Sequence, residues 1–301
     1  MVKTHPKSMK SPADVLPLYH RLTKRERLWM RWCFTYSKSA EKTGKPSTPK
    51  SMEQRLDEAT YLLRKSFGGS FFDGLDGKTV LDLGCGEGNQ SMALARANPN
   101  AMVTGIDLQQ RFEEMREYAH HHNVNNIAFS QTHSDTLTNA SFDVVFSHDS
   151  FEHFDDPVNM LKEMTRLCKA DGQIFIKFGP TWMGPYGRHM FNVFRKDRPW
   201  MHLIIPERSV MRIYSVIKRK PVLYERYVDY PDGLNKMTVA RAKSIMEANT
   251  HTKLKSFNVV SYLDGRPKFK RLFGWLLNIP LLNELLSQEV SAVLRVNTST
   301  P

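Results

Sequence analysis

The chain has 301 residues, 41% of them hydrophobic and 25% charged, a composition typical of a globular protein with one large domain or two modest ones. Its three cysteines, Cys33, Cys85 and Cys168, are too few and too scattered for a disulfide framework or a zinc site, and they indicate a reducing compartment. No stretch reaches the roughly 20 apolar residues that cross a bilayer, and the N-terminus lacks the apolar core of a signal peptide, so we expect a cytoplasmic protein.

The net charge of +12 is unevenly distributed. Residues 1–57 carry 13 Lys and Arg against 5 Asp and Glu, so eight of the twelve net positive charges lie in the first fifth of the chain. Such an excess is typical either of a surface for nucleic acid or anionic membrane, or of a solvated basic extension. No RNA-binding signature accompanies the charge, so we favour the solvated extension.

Residues 1–51 are predicted to form a basic N-terminal extension and linker. Within them, residues 16–36 have the pattern of a basic, aromatic-rich helix. Such a helix can pack on the domain, cover a pocket or lie on a membrane surface, and the sequence leaves these three alternatives open. An amphipathic helix over residues 52–67 leads into the main domain.

Residues 79–91 combine an apolar strand, a glycine-rich turn and the start of a helix, with the sequence TVLDLGCGEGNQS. Gly84, Gly86 and Gly88 let the backbone approach a ligand closely and direct amide groups toward it. A dinucleotide-binding fingerprint requires a third glycine three residues after the second, and Asn89 stands at that position. The turn therefore indicates a nucleotide-type cofactor of another kind.

Strands and helices alternate from residue 79 onward, which predicts a parallel sheet covered on both faces. The helix expected over residues 157–168 begins with the capping pair Asp156 and Pro157. Residues 180–235 interrupt the alternation, and we interpret them as an insertion that covers the substrate. Strands are predicted near residues 79–83, 102–106, 127–131, 142–147, 173–178, 254–262 and 291–296, and helices near residues 89–97, 109–122, 157–168, 238–248 and 269–286.

These motifs resemble the class I S-adenosylmethionine-dependent methyltransferases, especially the group similar to ubiquinone and menaquinone biosynthesis enzymes. The resemblance is carried by DLGCGEG at residues 82–88, by Asp107 at the end of the second strand, and by FDVVFS at 142–147 followed by FEHFDDP at 151–157. It implies an α/β fold, a Rossmann-like doubly wound sheet of seven strands with the last strand antiparallel. The implied methyltransferase domain covers residues 52–297, with a helical or irregular insertion at about 180–235.

The resemblance implies S-adenosyl-L-methionine as the cofactor. Asp107, 19 residues after Gly88, can accept hydrogen bonds from two ribose hydroxyls. We assign the adenine contact to Asp135, although Thr132 occupies the spacing that is usual in relatives. The predicted cofactor-binding residues are Asp82, Gly84, Cys85, Gly86, Gly88, Asp107, Leu108, Asp135 and His148.

Catalytic candidates should follow the fourth and fifth strands, because ligands of open α/β sheets bind beyond the carboxyl ends of the strands. Trp182 and Tyr186, on the loop after the fifth strand, and Asp149, after the fourth, are predicted to contact the acceptor. Histidine is suited to general-base catalysis, and we place His189 ahead of His153 in that role.

No metal is predicted, but one alternative remains. Asp149, Glu152 and His153 stand at i, i+3 and i+4, a spacing that puts three ligands for a divalent cation on one face of a helical turn. The run His120–His122 is instead interpreted as the cationic end of a helix. Residues 275–286 are predicted to form a core-facing helix that is broken at Pro280.

The sequence thus predicts an enzyme that transfers a methyl group from S-adenosylmethionine to an O or C atom of a small-molecule acceptor. Two alternatives stay open. One is a nucleic-acid methyltransferase that uses the basic N-terminal arm, and the other is an inactive S-adenosylmethionine-binding partner subunit. The acceptor and the oligomeric state are not assigned.

Overall fold

The computed structural model describes residues 18–33, 50–108, 112–189, 199–230 and 233–298. The chain divides into two compact units. The sheet unit consists of Thr48–Gly187 and Leu234–Pro301, and the helical unit consists of Met1–Ser47 and Arg188–Gly233.

A single sheet of seven strands forms the centre of the sheet unit. Its strands are β1 (Thr79–Leu83), β2 (Met102–Asp107), β3 (Ile127–Gln131), β4 (Phe142–His148), β5 (Cys168–Phe178), β6 (Thr252–Ser261) and β7 (Ser287–Val296). Their spatial order is β3-β2-β1-β4-β5-β7-β6. β1 to β5 pair in parallel, and β7 runs antiparallel to both β5 and β6. The predicted doubly wound sheet with an antiparallel last strand is confirmed.

Helices cover the sheet and also build the helical unit. In chain order they are α1 (Lys24–Cys33), α2 (Met52–Phe67), α3 (Gly69–Asp73), α4 (Asn89–Ala97), α5 (Glu113–His121), α6 (Pro157–Leu167), α7 (Met201–Ile204), α8 (Glu207–Ile217), α9 (Val239–Ala248), α10 (Pro267–Phe273) and α11 (Pro280–Leu286). α1, α7 and α8 belong to the helical unit. Within the described ranges, no helix is both long and apolar enough to cross a bilayer.

The sheet is buried on both faces, as its apolar strands require. Successive residues of a strand point to opposite faces, so Val80 packs in one hydrophobic cluster and Leu81 in another. The same alternation separates Phe175 from Ile174 and Ile176 in β5. The hydrophobic clusters on the two faces hold the sheet so that the carboxyl ends of β1, β2, β4 and β5 lie at one edge. The predicted site residues come directly after these strand ends.

Several predicted boundaries hold in the structure. The α6 cap is confirmed, because Asp156 accepts hydrogen bonds from the amides of Val158 and Asn159 at 3.1 and 3.0 Å. The histidine run is the end of α5, as predicted, and the His122 ring stacks on Tyr118 at 3.9 Å.

The predicted core-facing helix near the C-terminus is wrong. The segment divides into α10, a 3₁₀ turn over Gly274–Asn278 and α11, with the break at Pro280 where it was expected. None of its residues is buried, and Trp275 and Leu281 are each 61% exposed. Apolar periodicity indicated a helix that faces the core, but the connection between β6 and β7 leaves it at the surface.

In the helical unit, α1 packs on α8 through a buried ion pair. Arg212 Nε lies 3.1 Å from Glu26 Oε1, and the Glu26 side chain is almost fully buried. Glu26 also accepts a hydrogen bond from the Thr23 amide at 2.7 Å, which caps α1. The basic helix predicted over residues 16–36 therefore packs on α8 within the helical unit, and the three alternatives given for it stay predictions. Its predicted ends lie outside the described residues.

Candidate cofactor and active site

The glycine turn after β1 is built for a close approach of the backbone to another molecule. Gly84, Gly86 and Gly88 have φ of 78°, 56° and 85°, the left-handed region that favours glycine. A Cβ on Gly84 would lie 2.7 Å from Ser150, and one on Gly88 would lie 2.5 Å from the Phe129 ring. Among the residues that the structure describes, a Cβ on Gly86 would meet no atom within 4 Å. Gly84 and Gly88 thus make room for packing, whereas Gly86 faces open space that a ligand can fill.

Asp107 at the end of β2 lies beside this open space. Its Oδ2 accepts a hydrogen bond from the Gly86 amide at 3.0 Å, so the carboxylate and the turn are held together. The next residue, Leu108, is 58% exposed despite its apolar side chain. Cys85 is buried, and burial raises the pKa of its thiol far above the usual range, which makes it unsuited to act as a nucleophile.

Asp82 ties β1 to α4 beneath the turn. Its Oδ2 accepts a hydrogen bond from Ser91 Oγ at 2.6 Å, and both side chains are buried. Burial, helped by the negative charge of Asp107, outweighs this hydrogen bond and raises the pKa of Asp82 to about 7. The hydrogen bond between Ser91 and Asp82 supports the turn from within.

The assignment of the adenine contact stays a prediction. Asp135 lies exposed in a 3₁₀ turn, Ser134–Thr136, that follows β3. Thr132, the alternative by spacing, has its hydroxyl 2.7 Å from Thr136 Oγ1 in the same connection. Both residues sit after the carboxyl end of β3, so position alone does not distinguish them.

A charged network occupies the carboxyl ends of β4 and β5. His148 and Lys177 are register partners in the parallel pairing, and both are buried. Lys177 Nζ lies 2.5 Å from Asp149 Oδ1, while His148 Nδ1 lies 3.2 Å from Asp149 Oδ2. His148 Nε2 lies 3.2 Å from the hydroxyl of Ser66. Loss of solvent would raise the pKa of Asp149, but the neighbouring His148 ring and the Lys177 charge lower it to about 2.

Glu152 lies close to this network and is the second carboxyl group of the segment. It is buried, and its Oε1 accepts a hydrogen bond from the Gly179 amide at 3.1 Å. Among the described residues, Oε2 has no hydrogen-bond partner. Burial, followed by the charge of Asp149, raises the pKa of Glu152 to about 8. Two carboxyl groups three residues apart are therefore driven to opposite protonation states at neutral pH.

The helical turn proposed for a metal site is shorter than predicted. Asp149 has a φ of 56° and precedes the 3₁₀ turn, which covers only Phe151–His153. The i, i+3, i+4 argument for a shared face therefore fails at Asp149, whose oxygens instead contact Lys177 and His148. The cation alternative stays a prediction for Glu152 and His153, whose ligand atoms lie within 4.8 Å of each other.

The raised pKa of Glu152 predicts a pH-dependent stability. The folded protein retains a proton that the unfolded chain releases above its ordinary pKa of 4.5, so this contribution is complete below that pH and is lost as pH rises toward about 8. We expect Glu152→Gln to flatten the pH dependence of the free energy of unfolding by up to about 1.4 kcal/mol per pH unit across this window. Asp82 titrates in the same direction, so a residual slope should remain.

Urea denaturation at several pH values measures this slope. Glu117→Gln, on the exposed face of α5, is the matched control and should leave it unchanged. Equal slopes for the wild type and Glu152→Gln would show that Glu152 is ionised in the folded protein at neutral pH.

The loop after β5 is tightly folded. A Cβ on Gly184 would lie 2.1 Å from the Ser287 carbonyl oxygen, and one on Gly187 would lie 2.2 Å from that of Trp182. Lys236 Nζ sits 5.3 Å above the Trp182 ring, and the Tyr186 ring packs against Tyr262 at 6.3 Å between centroids. The loop therefore holds both predicted acceptor contacts in place.

The two predicted bases fall in different units. His153 ends the 3₁₀ turn after β4 and is partly buried in the sheet unit. His189 belongs to the helical unit and has a φ of 51°. The proposed order of the two histidines stays a prediction.

Sequence reasoning missed the residues that hold the predicted ones in place. These are Lys177, which pairs with Asp149; Ser66, which contacts His148; Ser91, which bonds Asp82; and Ser150, whose hydroxyl donates to the Gly84 carbonyl at 2.6 Å. Lys177 carried a usable signal, because a lysine inside the apolar run IFIKF requires a partner when buried. The serines carried none, since their partners are distant in sequence.

The sheet order, the open turn at Gly86 and the acid at the end of β2 define a class of protein. Residues 75–179 match a family model described as a methyltransferase domain. This part of the chain thus matches a methyltransferase domain, in agreement with the class I S-adenosylmethionine-dependent fold that its motifs predicted.

Comparison with individual proteins gives more specific relatives. The chain is 30% identical over 142 residues to the ubiquinone biosynthesis O-methyltransferase of Neisseria meningitidis, across 46% of this chain and 53% of the relative. It is 40% identical over 114 residues to the protein of the same name from Haemophilus ducreyi, across 35% of this chain and 46% of that one. The chain spans about half the length of these curated relatives.

A solved structure extends the likeness in fold to nearly the whole chain. It is a putative sarcosine dimethylglycine methyltransferase from Galdieria sulphuraria, with a TM-score of 0.50 and 14% identity, covering 92% of this chain and 99% of that one. At this identity the likeness concerns the fold alone.

Proposed function

We propose that this protein transfers a methyl group from S-adenosylmethionine to an O or C atom of a small-molecule acceptor. The observation that carries the proposal is the open space over Gly86, directly beside the carboxylate of Asp107. The turn has space for a side chain at residue 86, yet this residue is a glycine in a left-handed conformation. This combination fits a ligand that lies against the backbone. The names of the curated relatives favour oxygen as the acceptor atom.

The residues at the edge of the sheet have distinct tasks under this proposal. The cofactor, when bound, supplies a methyl group on a positively charged sulfur. Gly86 and Asp107 would position it, the carboxylate accepting hydrogen bonds from the ribose hydroxyls. Trp182 and Tyr186 would orient the acceptor opposite the methyl group, since an in-line displacement depends on alignment.

A hydroxyl acceptor must also lose its proton. Glu152 is mostly protonated at neutral pH because its pKa is raised to about 8, so a histidine is the better general base there. His153 follows β4 on the same short turn as Glu152, and His189 follows the loop after β5. Asp149, held ionised by Lys177 and His148, would fix the segment that carries His153 and would contact the acceptor.

We further propose that the protein works in the cytoplasm. Cys85 and Cys168 are free thiols and both are buried, which fits a reducing compartment. Cell fractionation with compartment markers tests this, and recovery with secreted or periplasmic proteins would contradict it.

The proposed reaction is tested with methyl-labelled S-adenosylmethionine and fractionated cell extract. We expect label in a small-molecule fraction and a greatly reduced yield with Asp107→Ala. Calorimetry should show that this variant binds S-adenosylmethionine more weakly by ~1–3 kcal/mol, because hydroxyl contacts lose their acceptor. Asp57→Ala, an exposed change on α2, should bind normally.

Other outcomes of the same experiment point elsewhere. Label in RNA would favour a nucleic-acid methyltransferase. Normal cofactor binding with no labelled fraction would favour an inactive partner subunit. Unchanged affinity in Asp107→Ala would remove Asp107 from the cofactor site.

A further inference from the structure

The connection between β6 and β7 exposes an unusual amount of apolar surface. We call residues 265–283 the apolar-basic segment; it contains α10, the 3₁₀ turn and the start of α11. Its apolar side chains Phe269, Leu272, Trp275 and Leu281 are 57%, 66%, 61% and 61% exposed. Phe269 and Phe273 stack against each other at 6.3 Å between centroids and form one continuous patch on α10.

The charge of the segment has a single sign. It contains four basic residues, Arg266, Lys268, Lys270 and Arg271, and no acidic residue between Asp264 and Glu284. Lys270 pairs with Asp264 at 2.5 Å, and Arg266 stacks over the Tyr262 ring at 3.7 Å. Across the described parts of the chain, Lys268 and Arg271 have no acidic partner, so their charges are available to an external anion.

Both ends of the segment are fixed to the sheet unit. Ser261 and Ser287 form the last register pair of the β6–β7 ladder, and the Tyr262 amide donates to the Leu286 carbonyl at 2.6 Å. Glu284 accepts hydrogen bonds from the amides of Val239 and Ala240, at the start of α9. The exposed patch is thus held in position and is not a loose loop.

The segment lies at the functional edge of the sheet. Val290 of β7 is paired with Phe178 at the carboxyl end of β5, so the connection before β7 emerges at the same edge as the loop carrying Trp182 and Tyr186. Tyr186 packs against Tyr262, five residues before α10 begins at Pro267. The patch and the acceptor loop are therefore neighbours in one unit.

We propose that the apolar-basic segment docks the protein on the surface of an anionic lipid bilayer. Exposed aromatic and leucine side chains would enter the headgroup boundary, where tryptophan is favoured, while Lys268 and Arg271 would face the lipid phosphates. The segment has basic residues and no acidic residue, so its charge is complementary to that of an anionic membrane surface. The proposal is independent of methyl transfer, since it rests only on surface and charge.

Vesicle cosedimentation tests the proposal with the full-length protein. We expect binding to vesicles of phosphatidylcholine with phosphatidylglycerol and weaker binding to phosphatidylcholine alone. Leu272→Ser/Trp275→Ser and, separately, Lys268→Glu/Arg271→Glu should each reduce the affinity by at least about tenfold. S-adenosylmethionine affinity, measured in parallel, should be unchanged in every variant.

Two matched controls accompany these variants. Tyr61→Ser/Met102→Ser replaces two apolar side chains that are equally exposed elsewhere in the sheet unit. Lys253→Glu/Lys255→Glu reverses two exposed charges at the opposite end of β6. Both should retain vesicle binding.

Three outcomes would overturn the proposal. The first is that the wild-type protein does not bind anionic vesicles. The second is that the segment variants bind vesicles as the wild type does, which would assign vesicle binding to the basic N-terminus. The third is that the control variants lose as much vesicle binding as the segment variants. A doubled mass in light scattering that the same substitutions abolish would instead identify a second copy of the chain as the occupant of the patch.

Discussion

Replacing Gly86 with valine should abolish S-adenosylmethionine binding while the protein remains folded. The φ of 56° already restricts side chains at this position, and a Cβ there would meet no atom of the described residues within 4 Å. Because that space lies beside Asp107, the valine would displace the ligand. We expect a loss of more than about 100-fold in affinity by calorimetry, equivalent to at least about 3 kcal/mol.

Gly77→Val separates this effect from backbone strain. Gly77 also has a positive φ, 68°, and open space around its Cβ position, but it precedes β1 at the opposite edge of the sheet. Valine should cost similar stability at both positions, at least about 1–2 kcal/mol. Gly77→Val should nevertheless bind the cofactor normally. A folded Gly86→Val protein with wild-type affinity would show that this turn does not hold the cofactor.

Substituting His189 tests the predicted general base. If His189 removes the acceptor proton, its loss should lower kcat by roughly 10²–10⁴-fold and leave cofactor affinity nearly intact. His189 has a left-handed backbone, which asparagine tolerates better than alanine, so His189→Asn isolates the loss of chemistry from strain. Steady-state kinetics with the acceptor found in the labelling experiment provide the measurement.

Comparison variants distinguish the possible roles of His189. His121→Ala, an exposed change at the end of α5, should not alter kcat. A change confined to acceptor KM would make His189 a positioning residue. Wild-type turnover in His189→Asn would exclude it as the base, and His153→Asn should then show the large loss.

The elements that sequence periodicity specified were predicted well because they depend on local chemistry. β1 covers the predicted residues 79–83, since an apolar run that ends in glycines has few alternatives. α6 begins at Pro157, where its cap and proline placed it. The seven-stranded sheet with an antiparallel last strand followed from resemblance to a known family, and the structure confirms it.

The sequence by itself determined the glycine turn for the cofactor, the acidic residue at the end of β2 and the alternation of strands and helices that forms a doubly wound sheet. Each of these features depends on residues that are close together in the sequence. Only the tertiary structure decided which side chains support them. Lys177 reaches Asp149 from an adjacent strand 28 residues away and helps to lower the pKa of Asp149, whereas burial raises the pKa of Glu152. The exposure of residues 265–283 likewise could not be predicted from the sequence. The same apolar periodicity occurs in helices that face a core and in helices whose apolar side chains face solvent.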